Sequence, residues 1–327
     1  VPRGSFAERA AALGGPLPPP PRPLSRAEVE TLLREGKPLL KCDLSDADLT
    51  GIDLSGRDLT GAIFTRAKLD GARFDKACLV GVNLAFARAA QSSWVEADLT
   101  RTDWQGASLF EARFDRAQID RASFAKANLE NARLDGAAAA GASFAGANLH
   151  GLSAAKTRLE KADFAGATLD FATFRGAQLS DAKLIGVRGE EACFDEATLT
   201  DARFEKSVLA RSTFVRADAK GTVWECCDLE GASFEGAVLE GAVVTGSRLV
   251  GATLTRVKAR QASFREADLT GARLDGADVM RASFEGANLR KASLRNTNLF
   301  EADFRGAAIE GADVTGALRE ERGKGAS

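Results

Sequence analysis

The sequence contains no tyrosine, one methionine and one histidine; the first points to a narrow, repetitive core and the last removes classes of function. A single histidine, His150, leaves no histidine-rich metal site and no histidine-based triad unless it serves alone. Five cysteines, Cys42, Cys78, Cys193, Cys226 and Cys227, form no C-x-x-C pair. An odd number at irregular spacing is a poor disulfide framework, so a reduced, cytoplasmic chain is expected. No apolar run approaches the ~20 residues of a membrane helix, and no signal-peptide pattern opens the chain. Neither GxxxxGK[ST] nor GxGxxG stands between a strand and a helix, which removes support for nucleotide binding. The 44 basic and 46 acidic residues leave a formal charge of −2, which announces no nucleic-acid partner. The expectation is a non-enzymatic chain with no cofactor and no metal.

What is present is repetition. From Leu44 to Val314 there are 55 positions at steps of five, and 49 of them are Leu, Ile, Val, Phe or Trp. The residue two before is Ala in 39 of the 55, and the register never slips. An interior wide enough for one large side chain per face needs a small residue beside it, and Ala meets that need without the looseness of Gly. Turning at each corner needs a residue tolerant of φ > 0, and 25 of the 32 glycines lie two after a central residue. Such internal periodicity decides the fold before any other signal.

The runs Ala47-Asp-Leu49-Thr-Gly51, Ala127-Asn-Leu129 and Ala287-Asn-Leu289 show the unit plainly, and over residues 42–318 the chain resembles the pentapeptide-repeat family. The resemblance implies an all-β fold, a right-handed quadrilateral β-helix in which four pentapeptides make one square coil. The central residue and the small one before it point inward, and the other three face solvent. Fifty-five units then give about 14 coils, a rod on the order of 65 Å long at a strand spacing of ~4.8 Å.

A rhythm of ten runs through the central positions, with Phe64, Phe74, Phe114, Phe124, Phe164 and Phe174 alternating with leucines, so opposite faces carry matching residues. Fourteen of the nineteen phenylalanines, with Trp94, Trp104 and Trp224, are expected to stack in the core. Six central positions are small. Leu152, Val187 and Val257 compensate for Ala154, Gly189 and Ala259, whereas Ala89, Ala139 and Ala219 lack such a partner and predict thin coils.

The flanks divide further. Residues 1–5 match an expression-tag scar, and residues 6–24 form a Pro-rich polyproline II linker, suggesting excision from a larger protein. Residues 25–41 read as a capping helix and lead-in, with Ser25 and Glu28 as a capping box and Gly36 following the helix. Val29, Leu32 and Leu33 share the face expected to plug the open end at Cys42. At the far end Leu318 is available to fold under, followed by a polar tail, 319–327.

The outward positions carry the functional expectations. Arg73 with Asp75, Arg113 with Asp115, Arg133 with Asp135 and Arg273 with Asp275 predict solvated pairs of little individual weight. Glu225, Glu230, Glu235 and Glu240 predict a belt around one coil instead of a paired-carboxylate site. One face is smooth: Ser123, Ala125, Ser143, Ala145, Gly146, Ala165 and Gly166, with Ala85 and Phe86 above. Phe110, Phe171, Met280 and Phe300 also point outward, and Met280 and Phe300 fall one coil apart. The predicted partner-binding surface is therefore Phe86, Ser123, Ala125, Ser143, Ala145, Ala165, Met280 and Phe300. Cys226 and Cys227 read as an outward residue and an Ala-sized core residue, and His150 as solvent-facing.

The Pro-rich stretch, Leu24-Ser-Arg-Ala-Glu-Val-Glu30 and the run from Cys42 to Ala62 are similar to the C-terminal repeat region of bacterial type VI secretion accessory proteins. That resemblance implies an effector-loading adaptor, with secretion-spike components or an effector as partners. The quinolone-resistance branch of the pentapeptide-repeat family implies the alternative, a DNA-mimicking regulator or protector of DNA gyrase, which wants a strongly negative face. Self-association is expected to leave a monomer or an end-to-end dimer with Phe304, Ile309 and Val314 at the seam.

Overall fold

The computed structural model describes residues 22–318: one helix, α1 (Arg26–Arg34), followed by an unbroken succession of bridges and turns. The tag scar, the linker up to residue 21 and the polar tail lie outside the described residues. Within each five-residue unit the carbonyl of the central residue accepts the amide three residues on, as in Ala77 N to Phe74 O at 3.0 Å, closing a tight turn. The third residue of every such turn, from Asp46 to Gly316, has φ between 55° and 74°; 25 are glycine and 30 are not. Left-handed conformation costs a residue with a Cβ roughly 1 kcal/mol. Bonds to the next coil offset it: corner amides donate upward, as Lys76 N does to Val95 O at 2.9 Å.

Parallel bridges run from Asp43↔Ile63 to Asn298↔Leu318, always twenty residues apart. Twenty residues are four units, so the cross-section has four faces. Face A carries the central residues Phe64, Leu84, Trp104 and onward by twenty; face B starts at Leu69, face C at Phe74 and face D at Leu79. The rings confirm this arrangement. Phe174, Phe194, Phe214 and Phe234 stack on successive coils of face C within 9° of parallel, at 4.7 to 5.0 Å. Rings ten residues apart, such as Phe204 and Phe214 at 88°, meet edge to face across the interior.

The small column also holds hydroxyls, and these have specific duties. Each indole N–H donates to the Ser or Thr two before it: Trp94 to Ser92 at 2.6 Å, Trp104 to Thr102 at 2.9 Å, Trp224 to Thr222 at 2.6 Å. Those hydroxyls donate in turn to the carbonyls of Ala89, Leu99 and Ala219. Ala89 and Ala219, read from sequence as uncompensated, are thus each followed by a Trp tied back to them. Around Gly189 the gap is filled by neighbours: an added Cβ would meet Leu209 at 3.0 Å and Leu169 at 3.3 Å.

The N-terminal end is covered. Ser25 caps α1, its side chain accepting from Glu28 N while the Glu28 carboxylate accepts the Ser25 amide at 2.8 Å, and Gly36 follows at φ 67°. Val29 is fully buried, Leu32 and Leu33 pack against the first coils, and Leu24 N donates to Asp43 O at 2.8 Å. The C-terminal end differs. Leu318 does not fold under: it is a bridge residue, Leu318 N donating to Thr297 O at 2.9 Å, so its side chain points outward and is 65% exposed. No helix among the described residues is long and apolar enough to cross a membrane.

Candidate binding surfaces

Aspartates serve the backbone in two ways that depend on their place in the unit. Those just before a central residue accept the amide two residues on, as Asp163 does from Ala165 N at 3.0 Å. Those just after accept an amide one coil up, as Asp75 does from Val95 N at 3.0 Å. Most remaining charge is paired along a face or between coils. Arg73 meets Asp75 at 3.3 Å, Arg133 meets Asp135 at 3.2 Å and Arg273 meets Asp275 at 3.8 Å. The expectation that such pairs are all solvated fails at Asp115, which is buried because Arg113 and Arg133 both reach it at 3.2 Å. Asp170 is likewise buried under Arg188 at 3.0 Å. The glutamate belt has its members on four faces: Glu230 pairs with Arg248, Glu235 with Arg256, and Glu240 with Lys220 at 3.7 Å.

The middle of face A is different. Ser123 and Ser143 are bridge partners, and Ser143 bridges Asp163 in turn. Beside them Ala125, Ala145 and Ala165 form a half-buried column one coil apart, their carbonyls taken by corner amides such as Lys126 N to Ala145 O at 2.9 Å. Phe86 stands at the edge of the same face, 56% exposed, with its ring over the next corner: a Cβ on Gly106 would meet it at 2.7 Å. Ala85, expected to share this surface, is buried, its amide held by Asn83 Oδ1 at 2.9 Å. Ile185, half-buried on face A one coil beyond Ala165, extends the surface and was missed; the same step of twenty reaches it.

Met280 and Phe300 occupy one column of face D, Arg281 N donating to Phe300 O at 2.9 Å; Met280 is half-buried and Phe300 39% exposed. They are on another face and several coils from Ala165, so the predicted residues form two surfaces. Phe110 is half-buried on face B. Phe171 is 54% exposed, its ring edge-on to His150 at 5.3 Å. A groove of about 380 Å³ lies on face D beside Glu240, Arg256, Lys258, Arg260 and Asp278. Arg260 is taken by Asp278 at 2.6 Å and Arg256 by Glu235.

No group of three His, Cys, Asp or Glu among the described residues could hold a metal. All five cysteines are free. Burial pushes the Cys227 thiol up to about 12, which keeps it protonated and inert, and its Sγ donates to Phe204 O at 2.8 Å.

The chain belongs to the family described as Pentapeptide repeats, whose profile matches eight times over residues 42–188 and 212–316. That family defines the architecture as a right-handed quadrilateral β-helix, a fold whose members are generally non-catalytic structural or interaction proteins. Among solved structures it is similar to HetL of Nostoc sp. strain PCC 7120, a pentapeptide repeat protein involved in heterocyst differentiation regulation. HetL is 24% identical over 91% of this chain and 98% of its own, with a TM-score of 0.23. The plasmid-mediated fluoroquinolone resistance protein QnrB1 is 21% identical over 52% of this chain and 85% of its own, with a TM-score of 0.32. A thylakoid-lumen pentapeptide repeat protein of Arabidopsis thaliana is 27% identical over 31% of this chain and 63% of its own, with a TM-score of 0.23. No curated protein matches the chain.

Proposed function

We propose that this chain is a protein-binding rod that docks a partner on the middle of face A, between Phe86 and Ala165. Met280 and Phe300 provide a second, separate contact. The observation that carries the reading is the contrast between faces. On face C arginines and carboxylates interlock from coil to coil, while Ser123, Ala125, Ser143, Ala145 and Ala165 present a flat uncharged column. Asp163 is the one carboxylate beside them, and its side chain is already bonded to Ala165 N. A side chain that ends at Cβ lets a partner backbone approach closely at little cost in side-chain entropy.

The finer assignment, an effector-loading adaptor of type VI secretion working in the cytoplasm with spike components or an effector, rests on the sequence resemblance of residues 16–62. The alternative, a DNA-mimicking regulator of gyrase, needs a continuous negative face, and the alternation of Arg113, Asp115, Arg133 and Asp135 works against it. The test is a pull-down from the native lysate with residues 6–327 as bait, beside Ala145→Arg and Ala165→Arg baits. Spike or effector proteins that are lost with both arginine variants support the reading. Gyrase subunits retained by the variants overturn it.

A further inference from the structure

We propose that the partner on face A is a second copy of this chain, packed antiparallel about a two-fold axis that crosses the face between Ala145 and Ala165. The proposal deepens the reading of face A as a docking surface and rests on it. It starts from the corner that leads into face A. Successive coils place there Arg101, Arg121, Gly141, Lys161, Asp181 and Asp201, all exposed and all at positive φ. At other corners, charges twenty residues apart pair: Asp46 with Arg66 at 2.7 Å, Glu96 with Arg116 at 2.8 Å, Glu196 with Arg216 at 2.7 Å. Along this one, none of the five charged residues makes an ion pair with another described residue. Two arginines stack one coil apart without an acid between them, and two aspartates without a base. Like charges at that spacing repel, so the isolated rod leaves this edge unsatisfied.

The order of signs is plus, plus, glycine, plus, minus, minus, and it becomes complementary to itself when reversed. With two face A surfaces apposed and the rods antiparallel, corner meets corner in opposite coil order. Arg101 then faces Asp201 of the second copy, Arg121 faces Asp181, and Lys161 faces Gly141, each contact occurring twice by symmetry. The face itself follows the same operation. Ala145 meets Ala165, Gly146 meets Gly166, Ser143 meets Asp163, and Ala125 meets Ile185, so small residues lie at the centre where two surfaces must come closest. Asp103 comes opposite Arg203, which its own face pairs with Glu205. Parallel packing lacks this match, because it sets the corner against Lys126, Gly146 and Gly166 on the other edge of face A.

Six coils at a spacing of ~4.8 Å make a contact roughly 25 Å long. A contact this short makes a weak dimer, expected to depend on concentration and, because opposite charges carry its register, to weaken with salt. Sedimentation equilibrium of the full chain at low and high ionic strength tests it, with Arg121→Asp, Asp181→Arg and the double variant. Arginine and aspartate both occupy left-handed corners elsewhere, at Arg66 and Asp46, so the fold accepts either exchange. Each single reversal places like charges opposite each other twice and should weaken dimerisation at least about tenfold, while the double variant should regain wild-type association. A wild-type chain that stays monomeric at every concentration overturns the proposal, as does a double variant no better than the singles. The two readings separate cleanly. A monomer whose heterologous partner is lost on Ala145→Arg keeps the docking face and discards the second copy, and a salt-sensitive dimer whose Ala145→Arg variant still dimerises discards face A as the seam.

Discussion

Over the described residues, the two ends of the rod carry the same kinds of residue at the same places in the repeat, yet one end is covered and the other is not. At the N-terminal end Leu44, Leu49, Leu54 and Leu59 are fully buried, although no coil lies beneath them among the described residues, because α1 and its Val29 take the place of one. At the C-terminal end Phe304 is half-buried, Val314 is 37% exposed and Ile309 56% exposed. A central position therefore confers only the capacity for burial. What completes it is the neighbouring coil or a substitute, as expected of a solenoid whose stability comes from each repeat and its contacts with the next.

The largest effect expected from this contrast is in the middle. Phe204 is fully buried, stacked on Trp224 at 4.0 Å and edge-on to Phe194 and Phe214, so Phe204→Ala should cost about 3–5 kcal/mol. Phe304, whose one ring contact is with Phe284 at 5.0 Å, should lose less than half as much on the same truncation. Urea titration of both variants measures the ratio; equal losses would mean that the last coil is as well covered as the middle. Next comes Val29→Asp. A carboxylate in place of that methyl cluster should lift α1 from the first coil at a local cost of about 3 kcal/mol. Amide exchange at Leu44 and Leu49 should then quicken about a hundredfold while Leu199 and Leu209 are unchanged.

How much of this was legible in the sequence depends on the period at which a feature repeats. Burial repeats at five and face matching at ten, and both could be read directly because the narrow interior admits one large residue per unit. The corner conformation was half legible: the glycines marked 25 corners, while 30 others adopt the same φ with Arg, Lys, Glu or even Phe, held there by coil-to-coil amide bonds instead of by preference. Contacts on the surface repeat at twenty. Stepping by twenty found the Ala125, Ala145 and Ala165 column, and it would have found Arg101, Arg121, Asp181 and Asp201 had corners been stepped as well as faces. Side-chain direction was beyond reach. The burial of Asp115 depends on where two arginines reach, whereas Leu318, four residues past Val314, stands at an outward place in the repeat and its exposure followed from the register.

A smaller effect tests how tightly a corner is coupled to its neighbour. Gly56→Ala near the covered end meets nothing within 4 Å and bears only the left-handed strain, about 1 kcal/mol. Gly106→Ala bears the same strain and also drives a methyl into the Phe86 ring, which must swing away. It should be the more destabilising of the two, and in a Phe86→Ala background the difference should vanish, a coupling that a double-mutant cycle reads directly.

The smallest effect expected is in the cover itself. The carboxylate of Glu28 is held down to about 2 from its ordinary value of 4.5, first by its bond with Arg22, then by the Ser25 hydroxyl and amide. A carboxylate whose pKa is lowered by folding stabilises the folded state above its unfolded pKa, and that contribution is lost as pH falls through the folded value. The capping box should thus be intact at neutral pH, weaken below about 4.5 and be gone near about 2. The group is exposed, so the change should be confined to α1 and leave the coils unaffected. Amide shifts of Ser25 and Glu28 followed through an acid titration should move together in that window, while those of Phe194 stay still. If instead the first coils open in step with α1, the cover and the rod are one cooperative unit, and the N-terminal end owes its closure to this cap as much as to Val29.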